Sequence, residues 1–413
     1  MVWAGCAVAA ALMAAVTDLG PHRLWGLCAT GGYAVAAALA AGAPPPRRRA
    51  APFVAVAGAV VVPMVWLIAH RQGQLEVDVV HRSGALLLST GGPYLPEPER
   101  IEDYHPYLPA MALFGLPHAL LGDSPLADAR WWFALVFCLA LGVAARTVAG
   151  RCAPGGLAVM AAFPLPALAL ATGGVDLPVT ALMCLALATA ATGRPVATGL
   201  AAGAAAAMKW TAWPVLVVAP VLLAARRSGR AAAGACAVAA TVLAGLIVPS
   251  VLVSPGAFVE QVLLYPLGAG RVASPAASPL PGHLIAALLP GGRPIALALL
   301  ALAAVAVALS LAARPPRTLL VAADRLALAL VLAVCLAPAT RFGYLLMPVT
   351  IAAWFRLQSR SREPAPRARS RGAEPWTGRA GSGAAGRSVP VPAGPGCGAR
   401  RSRCDGSRGA KGA

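Results

Sequence analysis

PVATGLAAGAAAAMKWTAWPVLVVAPVLLAA, residues 195–225, is the stretch on which the fold turns. It is apolar enough to cross a bilayer, yet both flanks are basic: Arg194 before it, Arg226 and Arg227 after it. Arginine and lysine collect at the cytoplasmic ends of membrane helices. One long helix would reverse every later span and carry Arg314, Arg317 and the Arg-rich C-terminus outside. Two short helices broken around Lys209 to Pro214 keep all of these inside. The sequence therefore predicts a hairpin with its tip near the exoplasmic side.

Outward from the hairpin, the rest of the chain has the same character. Its 413 residues are 59% hydrophobic and only 12% charged, with a mean hydropathy of +0.72. A soluble domain carries roughly a quarter charged residues. Several runs exceed the length that marks a spanning helix, and reading them against the arginine clusters predicts an all-α polytopic membrane protein of about 12 segments, both termini cytoplasmic. Residues 1–356 form the predicted membrane domain, with exoplasmic loops at 70–130 and 254–293. Residues 357–413 read as a disordered, Arg-rich cytoplasmic tail.

The formal charge of +19 does not signal nucleic acid. About half the surplus lies in the tail and the rest caps apolar runs, with no nucleic-acid-binding fold or aromatic platform beside it. The cysteines are scattered without C-x-x-C or His/Cys spacing, so neither a disulfide framework nor a metal site is indicated. No cofactor is implied.

Polar residues are rare enough here to be read one by one. The acids concentrate between Glu76 and Asp128, in and after RQGQLEVDVVHRSGALLLSTGGPYLPEPERIEDYHPYLP (Arg71 to Pro109). Asp78 follows the third membrane run and is the leading candidate for a base that takes a proton from a hydroxyl nucleophile. Glu76 is its nearest competitor, and a solvated loop acid is the bland alternative. Lys209 is one of only two lysines and lies inside an apolar segment, where a charge is costly and suggests function. Snorkelling to the interface is its bland alternative. Arg341 opens the last helix and suits a phosphate clamp, or an ordinary interfacial anchor. Asp176 fits a helix N-cap, or a cavity-facing acid that holds hydroxyls. His283 and His105 are lone loop histidines, whose commonest role is structural or solvated.

Taken together, several stretches resemble a known family. They are GALLLSTGGPYL, YHPYLPAMALFGLP, GGVDLPVTALMCLALA, GLAAGAAAAMKWTAWP, SPAASPLPGH and APATRFGYLLMP, following the acid at Asp78. In this order they resemble the GT-C superfamily of polyprenyl-phosphate-sugar-dependent glycosyltransferases, and within it the bacterial α-mannosyltransferases of family 87. The resemblance implies Asp78 as general base, and Lys209 and Arg341 against the lipid-linked phosphate. It also implies Asp176 beside the cavity and the His283 loop as a cover; Tyr107 and Glu76 are further candidates for the substrate cavity. Expected partners are a polyprenyl-phosphate sugar donor, a glycolipid or polysaccharide acceptor, and membrane lipids. The alternative readings are a lipid or solute transporter, or an inactive member of the family.

Overall fold

The computed structural model describes residues 1–152 and 154–360. The predicted tail lies outside the described residues, apart from 357–360, which complete a final helix, Leu346–Arg360. The described residues are helical with no strand; one isolated parallel bridge joins Ala277 and Thr340. The chain is an all-α polytopic membrane protein.

Six helices are long and apolar enough to cross a membrane: Gly20–Gly42, Pro45–Ala69, Ala129–Ala149, Gly229–Val253, Gly292–Ala313 and Leu319–Leu336. The run from Gly155 to Thr172, expected as one helix, is two, Pro154–Ala162 and Pro164–Thr172, bent by 77°. Phe163 between them is extended because Pro164 lacks an N–H and pushes its predecessor out of the helical region. The expected segment number of about 12 is reached only if shorter apolar helices also span. These are Val2–Val16, Asp176–Ala191, Pro195–Met208 and Trp210–Arg226, with Leu346–Arg360.

At residues 195–225 the chain doubles back. Pro195–Met208 ends where Lys209 turns extended (φ −155°, ψ 140°), a 3-10 turn follows, and Val215–Arg226 returns beside it. The Arg227 guanidinium donates to the Gly193 carbonyl, so the two basic flanks meet at one end. Small residues set the packing of the first arm against Gly229–Val253. A Cβ on Gly199 would stand 2.4 Å from the Ala235 carbonyl oxygen, and one on Gly203 would stand 3.1 Å from that of Ala239. Backbones that approach this closely gain dispersion energy that larger side chains would forbid.

Asp176–Ala191 is the most buried helix and defines two ends of the bundle, about 24 Å apart at 1.5 Å per residue. Beyond its Ala191 end lies a cleft of about 350 Å³, lined among others by Thr192, Arg226, Thr318, Trp354 and Gln358. Its Asp176 end meets the acid-rich stretch.

That stretch, expected as a loop, opens with a 16-residue helix, Leu75–Thr90. Val77, Val80 and Gly84 are buried at helical spacing, Glu76 and Asp78 fall in the first turn where the helix dipole favours acids, and Gly91 ends it with φ 78°. The segment Tyr107–Leu121, expected to be interfacial or half-inserted, runs as a 3-10 stretch (Pro109–Gly115) and a short helix (Leu116–Leu121). The second predicted loop also carries helical turns, including Pro281–Leu288.

Candidate active site

Polar side chains from five separate elements meet at the Asp176 end, each at the end of a helix or in a break between helices. Asp176 is the first residue of its helix. It gets there through Gly173, whose φ of +110° is a left-handed conformation suited to glycine. A Cβ at Gly173 would also stand 2.2 Å from the Val77 side chain, so this turn packs directly on the Leu75–Thr90 helix. Lys209 occupies the extended break of the hairpin, where its backbone leaves the helix and its side chain turns to Asp176. The ammonium donates to the Asp176 carboxylate at 2.5 Å. It also lies 4.6 Å from the Tyr344 ring centroid and 5.4 Å from that of Tyr107, within cation–π range.

Arg341 stands on the other side of Tyr344 in sequence and is also extended (φ −130°, ψ 144°). Its neighbours are held by the SPAASPLPGH loop: Thr340 N–H donates to Ala276 at 2.8 Å, and Ser278 N–H donates to Thr340 at 2.9 Å. The His283 ring nitrogen Nδ1 lies 3.0 Å from the Pro338 carbonyl oxygen. The Arg341 guanidinium donates to Glu76 at 3.1 Å, across 265 residues of sequence. Tyr107 is buried, and burial together with the nearby Glu76, Tyr344 and Asp176 pushes its phenol well above the usual tyrosine range.

The group is thus two cations, two carboxylates and two phenols, built from residues far apart in the chain. Neither the 350 Å³ cleft nor a second cavity of about 200 Å³ beside Gly199 is lined by these residues. A family model for glycosyltransferase family 87 matches residues 104–340. The chain belongs to glycosyltransferase family 87. No curated protein and no solved structure matches it. The protein is a membrane glycosyltransferase, so a sugar donor and an acceptor are its substrates. The matched region contains Tyr107, Asp176, Lys209 and His283; Arg341 follows it by one residue, and Glu76 and Asp78 precede it.

The glycosyltransferase divides the two early acids between different surroundings. Glu76 joins the group above. Asp78, two residues on, is exposed and makes no ion pair or hydrogen bond among the described residues. Its electrostatic neighbours are Arg130, Asp128, Arg82 and His118, not Lys209 or Arg341. The protein mass around Asp78 pushes its carboxyl above the ordinary range, helped by Asp128 and opposed chiefly by Arg130. On that side, Arg130 pairs with Asp128 at 2.7 Å, and the rings of His81 and His118 stack at 4.0 Å.

Of the residues singled out in the sequence, the structure brings together Glu76, Tyr107, Asp176, Lys209 and Arg341. It ties His283 to the segment behind Arg341 and sets Asp78 apart. His105 is buried between Tyr94 and Tyr107, and burial drives its ring down to a pKa of about 3. Residues missed by sequence reasoning are Tyr344 and the pair His22–Gln74, whose side chains meet at 2.6 Å two residues before Glu76. Tyr344 had a signal: it follows Arg341 by three residues, about one turn of helix.

Proposed function

We propose that this glycosyltransferase moves a sugar, mannose, from a polyprenyl-phosphate donor to a hydroxyl of a glycolipid or polysaccharide acceptor at the exoplasmic face. Glu76 accepts the proton of the acceptor hydroxyl as its oxygen bonds to the anomeric carbon. The bond from that carbon to the phosphate oxygen breaks, and its electron pair leaves with polyprenyl phosphate. Arg341 stabilises the charge growing on the phosphate. Lys209, fixed by Asp176 between two tyrosine rings, adds positive potential from behind. Tyr344 presents aromatic and hydroxyl surface to the sugar, the buried Tyr107 backs Lys209, and the His283 loop holds the Arg341 backbone in place.

The observation that carries this reading is the Glu76–Arg341 contact beside Lys209–Asp176. A proton acceptor and a phosphate-binding cation must lie within one substrate's reach, and Glu76 meets that need where Asp78 does not. The test is sugar transfer by purified protein in lipid nanodiscs, over a panel of labelled polyprenyl-phosphate sugars. Glu76→Gln should remove transfer and Asp78→Asn should keep it; the opposite result returns the base to Asp78. Transbilayer movement of the labelled lipid without glycosidic bond formation would instead favour a transporter.

A further inference from the structure

The two ion pairs of the site are not equivalent. Lys209 and Asp176 are almost dry, with side chains 10% and 12% exposed, and their contact is short. Arg341 and Glu76 are wetter, at 40% and 23%, and are joined by a single contact from Arg341 Nη1 to one Glu76 oxygen at 3.1 Å. Separating a buried pair strands two charges away from water, so that pair stays closed. A part-exposed, one-point pair is worth little and is replaceable. A guanidinium has five N–H donors, and among the described residues Arg341 directs one of them to a side chain and the rest to no partner. A phosphate can take two of them at once and carries at least as much charge as a carboxylate. The Arg341 backbone is meanwhile pinned through Thr340 and Ser278, so the side chain can change partner without moving the chain.

We infer that the donor's phosphate and Glu76 compete for Arg341, so that donor binding releases the base and the acceptor hydroxyl is activated only after the donor is seated. This rests on the roles given above to Glu76 and Arg341. Before the donor arrives, a Glu76 lone pair is occupied by Arg341. When the phosphate takes the guanidinium, the Arg341–Glu76 hydrogen bond breaks, an Arg341–phosphate contact forms, and the freed oxygen accepts the acceptor's proton. The device ties deprotonation to the presence of a donor, and it predicts donor-first order.

The test is equilibrium binding of polyprenyl monophosphate to the full chain in nanodiscs, set beside transfer assays. Removing the competitor should strengthen binding: Glu76→Gln and Glu76→Asp, which withdraws the carboxylate by one methylene, should each bind about two- to fivefold tighter than wild type. In wild-type kinetics an unreactive acceptor analogue should inhibit uncompetitively against donor. Binding no tighter in either variant, or a competitive or random pattern, overturns the exchange. If Glu76→Gln loses transfer but binds polyprenyl monophosphate no tighter, only the exchange fails. If Glu76→Gln retains transfer, the catalytic assignment fails, whatever the binding shows.

Discussion

The Leu75–Thr90 helix has two faces that differ in everything except sequence distance. Residues two apart on a helix point about 200° away from each other. Glu76 therefore looks toward Arg341, Tyr107 and Lys209, while Asp78 looks with Arg82 toward Asp128, Arg130 and His118. In a flexible loop either acid can swing into a shared site. On a helix packed against Gly173 through Val77, helix phase makes the choice, and of the two acids only Glu76 reaches Arg341.

The largest effect that separates the faces is on transfer. General-base catalysis contributes about 10²- to 10⁴-fold, so Glu76→Gln should lower kcat/KM by at least about 100-fold. Asp78→Asn should stay within a few-fold of wild type in the same assay. Equal losses would mean that the two faces are not functionally distinct. Next comes the support beneath the Glu76 face. Lys209→Met strands the Asp176 carboxylate in a dry environment and should cost about 3–5 kcal/mol of stability, read as a lower Tm in detergent. Adding Asp176→Asn should restore much of that Tm without restoring transfer. If the double variant regains transfer, Lys209 serves structure alone.

Much of the fold was legible because the bilayer leaves few choices. Arg194 and Arg226–Arg227 at both flanks of one apolar run already required the chain to double back, and the Arg227–Gly193 contact closes the hairpin they imply. Lys209, Asp176 and Arg341 stood out because isolated charges in apolar segments are costly. The helix at Leu75–Thr90 was missed for the opposite reason: its acids and polar residues disguised a helical spacing of Val77, Val80 and Gly84. Without that helix there was no phase, and without phase the sequence favoured Asp78 over Glu76 by position after the third membrane run alone. The Glu76–Arg341 pairing spans 265 residues, a distance over which one sequence holds no positional information.

A smaller effect probes the hinge between the faces. Gly173 combines φ +110° with contact to Val77, so Gly173→Ala introduces both backbone strain and a clash. The expected cost is about 1–3 kcal/mol. Because the shift bears on Asp176 and on the Glu76 turn, transfer should fall further than the loss of folded protein explains. Measured per folded molecule, unchanged transfer would show that the turn does not set the site.

The smallest effect belongs to the Asp78 face and is a matter of pH. Burial holds His81 down to a pKa of about 4, with His118 and Arg130 adding to the depression and Asp128 and Asp123 opposing it. Neutral His81 accepts the Ala129 N–H through Nε2 at 3.0 Å, at the start of the Ala129–Ala149 helix, and protonation removes that acceptor. The unfolded chain titrates near the ordinary histidine value of about 6.5, so between there and about 4 it binds more protons than the folded one. Stability from this group is therefore complete above about pH 6.5 and is lost progressively as pH falls toward 4. His81→Gln keeps an oxygen acceptor for Ala129 but does not titrate, so it should flatten the fall in Tm across that window. The pH dependence of transfer should be unchanged, since the proposed proton acceptor, Glu76, lies on the opposite face. A shift of the pH–rate profile in His81→Gln would join the two faces into one proton network and return Asp78, three residues before His81, to the reaction.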